Sequence, residues 1–195
     1  YGPIGVETCF AGLVAVAAVA IVLGWVHGPL LAAVGLIGGR LAPFAVGGSS
    51  ENSDWLYGYF AGVTFAGLAV DAVRRWAWVS VLALALGFAA GWFTMLAAGG
   101  AGPFAVMLAG LAVLGIGVPA LRLVPDHAGA MLAESLMARG KGDWPIFPTR
   151  LAAGSVLAAS VSLMILPVSD GAASMLAFLM LILLVMMLAI WAAPA

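Results

Sequence analysis

A chain of 195 residues in which 65% are apolar and 8% are charged cannot build the exterior of a water-soluble domain, which carries roughly a quarter charged residues. The formal net charge of −1 supplies no basic field for nucleic acid, and the high hydropathy excludes disorder. The single cysteine, Cys9, has no partner for an intrachain disulfide, so cysteine usage leaves the redox compartment open.

A membrane helix needs about 20 mostly apolar residues. On that measure the chain reads as an all-α, polytopic bundle of about seven transmembrane spans forming a single domain over 1–195. The first span covers 6–26 and closes at Gly24 and Gly28, with Trp25 at the interface. Pro29 opens the second span, 29–46, where the amide it lacks is not needed. A short acidic loop follows, and Asp54 or Ser53 caps the third span, 55–73, which stops at Arg74 and Arg75. Trp76 and Trp78 then lie where amphipathic rings favour the headgroup layer. The fourth span is 76–98, and an uncharged glycine turn leads to the fifth, 103–123. The longest polar stretch, 124–150, follows. Met131, Leu132, Leu136 and Met137 recur there at helical spacing opposite Glu134 and Arg139, which reads as one short amphipathic helix on the membrane surface, with Trp144 as a further anchor. A surface linker fits the same residues equally well. Spans six, 151–167, and seven, 172–192, complete the set.

Orientation follows from Lys and Arg, which concentrate on the cytoplasmic side. Arg74 and Arg75 lie between spans three and four, and Arg122, Arg139, Lys141 and Arg150 between spans five and six. Both connections fall on one face of a seven-span count, while Glu51, Asp54 and Asp170 mark the other. The N-terminus is therefore expected outside and the C-terminus in the cytoplasm, as for a multi-pass protein of the bacterial inner membrane. The chain opens on Tyr1 without a signal-like segment and reads as a piece of a longer protein.

Lipid gives helices no hydrophobic reason to associate, so close backbone approach and side-chain hydrogen bonds must hold them. Small residues four apart allow that approach. The pairs Gly24/Gly28, Gly35/Gly39, Gly58/Gly62 and Gly87/Gly91 supply one per span in the first four. The seventh span is rich in Leu and Met instead, and is expected at the periphery.

One run, GLIGGRLAPFAVGGSSENSDWLYGYFAGVTFAGLAVDAVRRW, is distinctive. Gly35, Leu36, Gly38, Gly39 and Pro43 form a glycine-rich helix segment, and Ser49 to Asp54 a short polar loop. Tyr57, Gly58 and Tyr59 then open a helix that Arg74, Arg75 and Trp76 end. Over about residues 29–98 the chain resembles a family of very large bacterial predicted membrane proteins known as DUF2339. The resemblance implies a polytopic inner-membrane protein with more spans than these. It implies no activity and assigns no role to Arg40.

Arg40 is the one base inside a span. It lies about 16 Å along the second span from Pro29 at 1.5 Å per residue, where a charge costs about 2.5 kcal/mol or more unless paired or hydrated. Two readings follow. Arg40 contacts an ion in a cavity, or it snorkels outward to Glu7, Glu51 or headgroups. Gly38, Gly39 and Pro43 either unwind the second span beside it, as in transporter sites, or merely kink it. Asp71 suits a local ion pair with Arg74 and Arg75. His27 and His127 lack partners at metal-ligand spacing on their own helices, and no catalytic, cofactor or metal motif stands out. The expected partners are membrane lipids and other membrane subunits or the rest of the same chain, with no nucleic acid and no cofactor. The simplest function is a structural or scaffolding module of a larger membrane assembly. The alternatives are a transporter or flippase-like module centred on the second span, and a membrane enzyme acting on lipid headgroups through 124–150.

Overall fold

The computed structural model describes residues 6–46, 54–74, 76–120, 147–166 and 171–192. All regular structure among them is helical, as the apolar runs require. The helices are α1 (Val6–His27), α2 (Pro29–Val46), α3 (Asp54–Arg74), α4 (Ala77–Ala98), α5 (Ala101–Ala120), α6 (Phe147–Ile165) and α7 (Gly171–Ala192). Among the described residues, α4 and the stretch Ala101–Val118 of α5 are long and apolar enough to cross a bilayer; α1, α2, α6 and α7 carry shorter apolar stretches. The surface helix expected within 124–150, and Trp144 with it, lies outside the described residues, as do the loop before Asp54 and the turn before Gly171.

Helix starts differ from the sequence reading where proline is involved. Helix α5 begins two residues before Pro103 and α6 begins just before Pro148. Both prolines sit in a first turn, where no intrahelical donor is lost. Arg150 does not mark the edge of α6; it lies inside the first turn with an exposed side chain.

The chain divides into two compact units, Tyr1–Gly100 and Ala101–Ala195. In the first, α1 and α2 form a hairpin joined by one residue, Gly28, at φ +127°. Its amide caps α1 by donating to the Gly24 carbonyl at 3.0 Å. A Cβ built on Gly24 would stand 2.8 Å from the Ala32 amide nitrogen, and one on Gly35 2.9 Å from the Ala17 carbonyl oxygen and the Ile21 amide nitrogen. These are backbone-to-backbone approaches that only glycine permits. Partners move down α1 as they move up α2, so the two helices are antiparallel. The same kind of register holds for α3 on α4, where Gly67 meets Ala83 and Tyr57 reaches Gly99. All four helices share one core: Ala32 and Leu36 of α2, Val70 of α3, and Val79 and Ala83 of α4 are buried together, with Ile21 of α1 packed against them.

Glycine use differs from the sequence reading at three positions. Gly28 serves the left-handed turn, and nothing lies within 4 Å of where its Cβ would be. Gly58 and Gly62 also face open space, on the exposed side of α3. The close contact of α3 is Gly67 instead, whose added Cβ would stand 2.6 Å from the Ala83 Cβ and 3.0 Å from a Leu36 methyl. Gly87 and Gly91 lie on the buried face of α4.

In the second unit α5 packs against both α6 and α7. Phe104, Leu108, Leu111 and Ala112 of α5 are fully buried, with Ala152, Val156 and Ala159 of α6 buried in the same unit. Helix α7 buries Ala177 and Leu184, seven residues apart and so on one stripe, while Met175, Phe178, Leu179 and Met186 are exposed.

Candidate functional site

The most unusual side chain of the first unit is Arg40, which is 3% exposed despite its charge. Its guanidinium turns inward between α2, α3 and α4. Nη2 donates to the Thr64 hydroxyl at 2.8 Å and to the Ala83 carbonyl at 2.7 Å. Nη1 donates to the Leu36 carbonyl, one turn back on its own helix, at 3.3 Å. Nε has no hydrogen-bond partner among the described residues. The Thr64 hydroxyl accepts from Arg40 while donating its own proton to the Phe60 carbonyl at 2.8 Å. The Ala83 oxygen is approachable for a local reason. A helical side chain covers the turn before it, and the residue one turn after Ala83 is Gly87, which has no side chain to shield that oxygen.

This geometry corrects the snorkelling reading, because the guanidinium turns inward and not outward. The hairpin register pairs Gly24 with Ala32, Ile21 with Gly35 and Ala17 with Gly39, which sets Arg40 level with residue 16. Glu7 lies nine positions further along α1, roughly 13 Å at 1.5 Å per residue. The side chain of Glu7 is outside the described residues, as is that of Trp25.

The glycine–proline segment beside Arg40 is not unwound: α2 is a continuous helix through Pro43. Proline offers no amide hydrogen, so the carbonyl one turn earlier, that of Gly39, loses its helical donor. The Tyr59 hydroxyl donates to that oxygen at 2.6 Å. Tyr57 does similar work at the end of α4, donating to the Gly99 carbonyl at 2.6 Å, one of the oxygens a helix end leaves unpaired. Gly38 has open space around it, whereas a Cβ on Gly39 would stand 3.3 Å from that of Ala17.

Aromatic rings fill the space beyond Arg40. Phe44 stacks on Phe60 at 5.9 Å and meets Phe93 edge-on at 4.8 Å. At the other end of α3, Asp71 accepts a hydrogen bond from the Ser80 hydroxyl of α4, a partner the sequence reading did not foresee. The Arg74 guanidinium lies 5.7 Å from the centre of the Trp76 ring. Trp76 is half-buried and packs against the shared core, while Trp78 is exposed.

Sequence reasoning singled out Arg40 but missed Thr64, Tyr59, Ala83 and Gly67. A signal existed. Thr64 and Asp71 are the polar residues of mid-α3, and they are seven apart, so they share one face. In an apolar helix polar side chains turn inward, and Gly67 lies between them on that face.

No curated protein and no solved structure matches the chain. A family model described as "Predicted membrane protein (DUF2339)" matches residues 1–195, so the likeness placed on 29–98 extends through α5, α6 and α7. A buried arginine hydrogen-bonded inside an apolar helical unit, lying within that full-length match, is therefore a feature of a chain that belongs to the DUF2339 family of predicted membrane proteins.

Proposed function

We propose that this chain is a multi-pass structural module of the bacterial inner membrane, which holds a larger membrane assembly together and moves no solute. In this reading α1 to α7 each cross the bilayer, the N-terminus lies outside and the C-terminus lies in the cytoplasm. Three things support the topology: the basic residues fall on one face of such a count, successive helices of the first unit run antiparallel, and large apolar side chains such as Val26, Leu30, Leu96 and Met164 are exposed. The observation that carries the scaffolding role is how Arg40 is used. The buried charge of α2 bonds to Thr64, Leu36 and Ala83, groups that belong to the chain itself. A transport site would keep such a charge for its cargo.

Two substitutions separate the readings. A clasp needs shape and hydrogen bonds, whereas a solute contact needs charge. In cells that depend on the protein, Arg40→Leu is expected to retain function in proportion to the amount folded in the membrane. Arg40→Lys, which keeps the charge but not the planar fork, is expected to do no better. Loss of function in a fully folded Arg40→Leu protein, with recovery in Arg40→Lys, would replace the scaffold by the transporter.

A further inference from the structure

We infer that the Gly38–Pro43 turn of α2 is a hinge, and that the Tyr59 hydroxyl is the latch that holds it closed by replacing the amide hydrogen Pro43 lacks. Several observations converge on this turn. Two consecutive glycines weaken the helix just before the point where proline removes a bond. A Cβ built on Gly38 would have nothing within 4 Å among the described residues. Before the turn, α2 is fixed: Gly35 touches the backbone of α1, and Leu36 belongs to the shared core. After the turn, the described fastenings come from α3 and α4. Phe44 rests on Phe60 and Phe93, and Tyr59 holds the Gly39 carbonyl. Arg40 ties the middle of the turn to Thr64 and Ala83. The tyrosine ring is itself positioned by Phe60 and Trp55, with ring centres 5.6 and 6.2 Å away.

The last turn of α2 is thus helical because another helix supplies the missing donor. Withdrawing Tyr59 takes its hydrogen bond from the Gly39 carbonyl in the middle of α2, one residue before Arg40. An exposed carbonyl within a broken span is the kind of group that membrane proteins offer to a bound solute or to water. The hinge does not depend on the scaffolding role, since its bonds are present whatever the protein does.

The test is a cycle of Tyr59→Phe, Pro43→Ala and the double variant, made in the full chain in lipid discs and followed by amide hydrogen exchange. Tyr59→Phe removes only the latching hydroxyl. It is expected to speed exchange at residues 44–46 about tenfold, with residues 32–36 unchanged. Pro43→Ala restores an amide to the Gly39 carbonyl. In that background Tyr59→Phe is expected to change exchange less than about twofold, since the latch is then redundant. Unchanged exchange at 44–46 in Tyr59→Phe overturns the inference, and so does an equal acceleration with Ala at 43. If Tyr59→Phe alone does not fold, the double variant decides: recovery of folded protein supports the latch, and continued failure overturns it.

Discussion

Arg40 shows how little a buried charge adds once its costs are counted. Two hydrogen bonds from a charged donor contribute about 1.5–3 kcal/mol each, while an arginine at the centre of a span costs about 2.5–3.5 kcal/mol. Its acceptors are not orphaned when it is removed. The Leu36 and Ala83 carbonyls face amides of their own helices, and the Thr64 hydroxyl still donates to Phe60. Arg40→Leu is therefore expected to lower unfolding stability by no more than about 3.5 kcal/mol, and by less the more the burial cost offsets the bonds. Arg40→Lys keeps the burial cost and gives up the fork, so it is expected to be the less stable of the two by thermal unfolding in detergent. Equal stability of Lys and wild type would mean that charge and not geometry holds the site. Arg40 was legible because a base inside an apolar run stands alone. Its partners were not, because Thr64 lies 24 positions away and Ala83 43 positions away, and no local pattern links such distances. Depth along a span says nothing about the register between two spans, which the Gly24–Ala32 contact fixes.

For the helices themselves the sequence was a good guide, because length and apolarity alone decide where they occur. It was a poor guide to which glycines matter. Spacing marked Gly58 and Gly62 as readily as Gly35 and Gly39, yet rotation about the axis decides whether a glycine meets a neighbour. In α3 the polar pair Thr64 and Asp71 sets that rotation and turns Gly67 inward. The expected consequences are distinct. Gly35→Ala must push α1 away from α2, because its Cβ meets backbone at 2.9 Å, and backbone cannot rotate aside. A loss of about 1–3 kcal/mol is expected from such overpacking. Gly67→Ala is expected to cost a similar amount by separating α3 from α4. Gly62→Ala has open space and should be neutral, or stabilise α3 by up to about 1 kcal/mol through better helix propensity. Thermal unfolding of the three variants side by side checks the order. A Gly62→Ala protein as damaged as Gly67→Ala would mean that the outer face of α3 is covered by something in the membrane.

For the molecule as a whole, the proposed topology places the loop before Asp54 and the turn before Gly171 outside, with the segment 124–150 in the cytoplasm. With Cys9 replaced by Ser, single cysteines at Ser53 and Ser169 are expected to react with a membrane-impermeant thiol reagent in intact cells, and one at Ser135 only after permeabilisation. Reaction of Ser53 and Ser135 from the same side would remove a span from the count. The link between the first two helices has its own consequence for biosynthesis. One residue, Gly28, separates His27 from Pro29, and one residue spans less than about 4 Å. There is no slack in which the first helix can settle while the second is still being made. The pair must enter the bilayer as a single wedge, delivered only once the ribosome has released the chain through Val46. An isolated segment of residues 6–28 should wash out of the membrane with alkali, whereas one of residues 6–46 should stay.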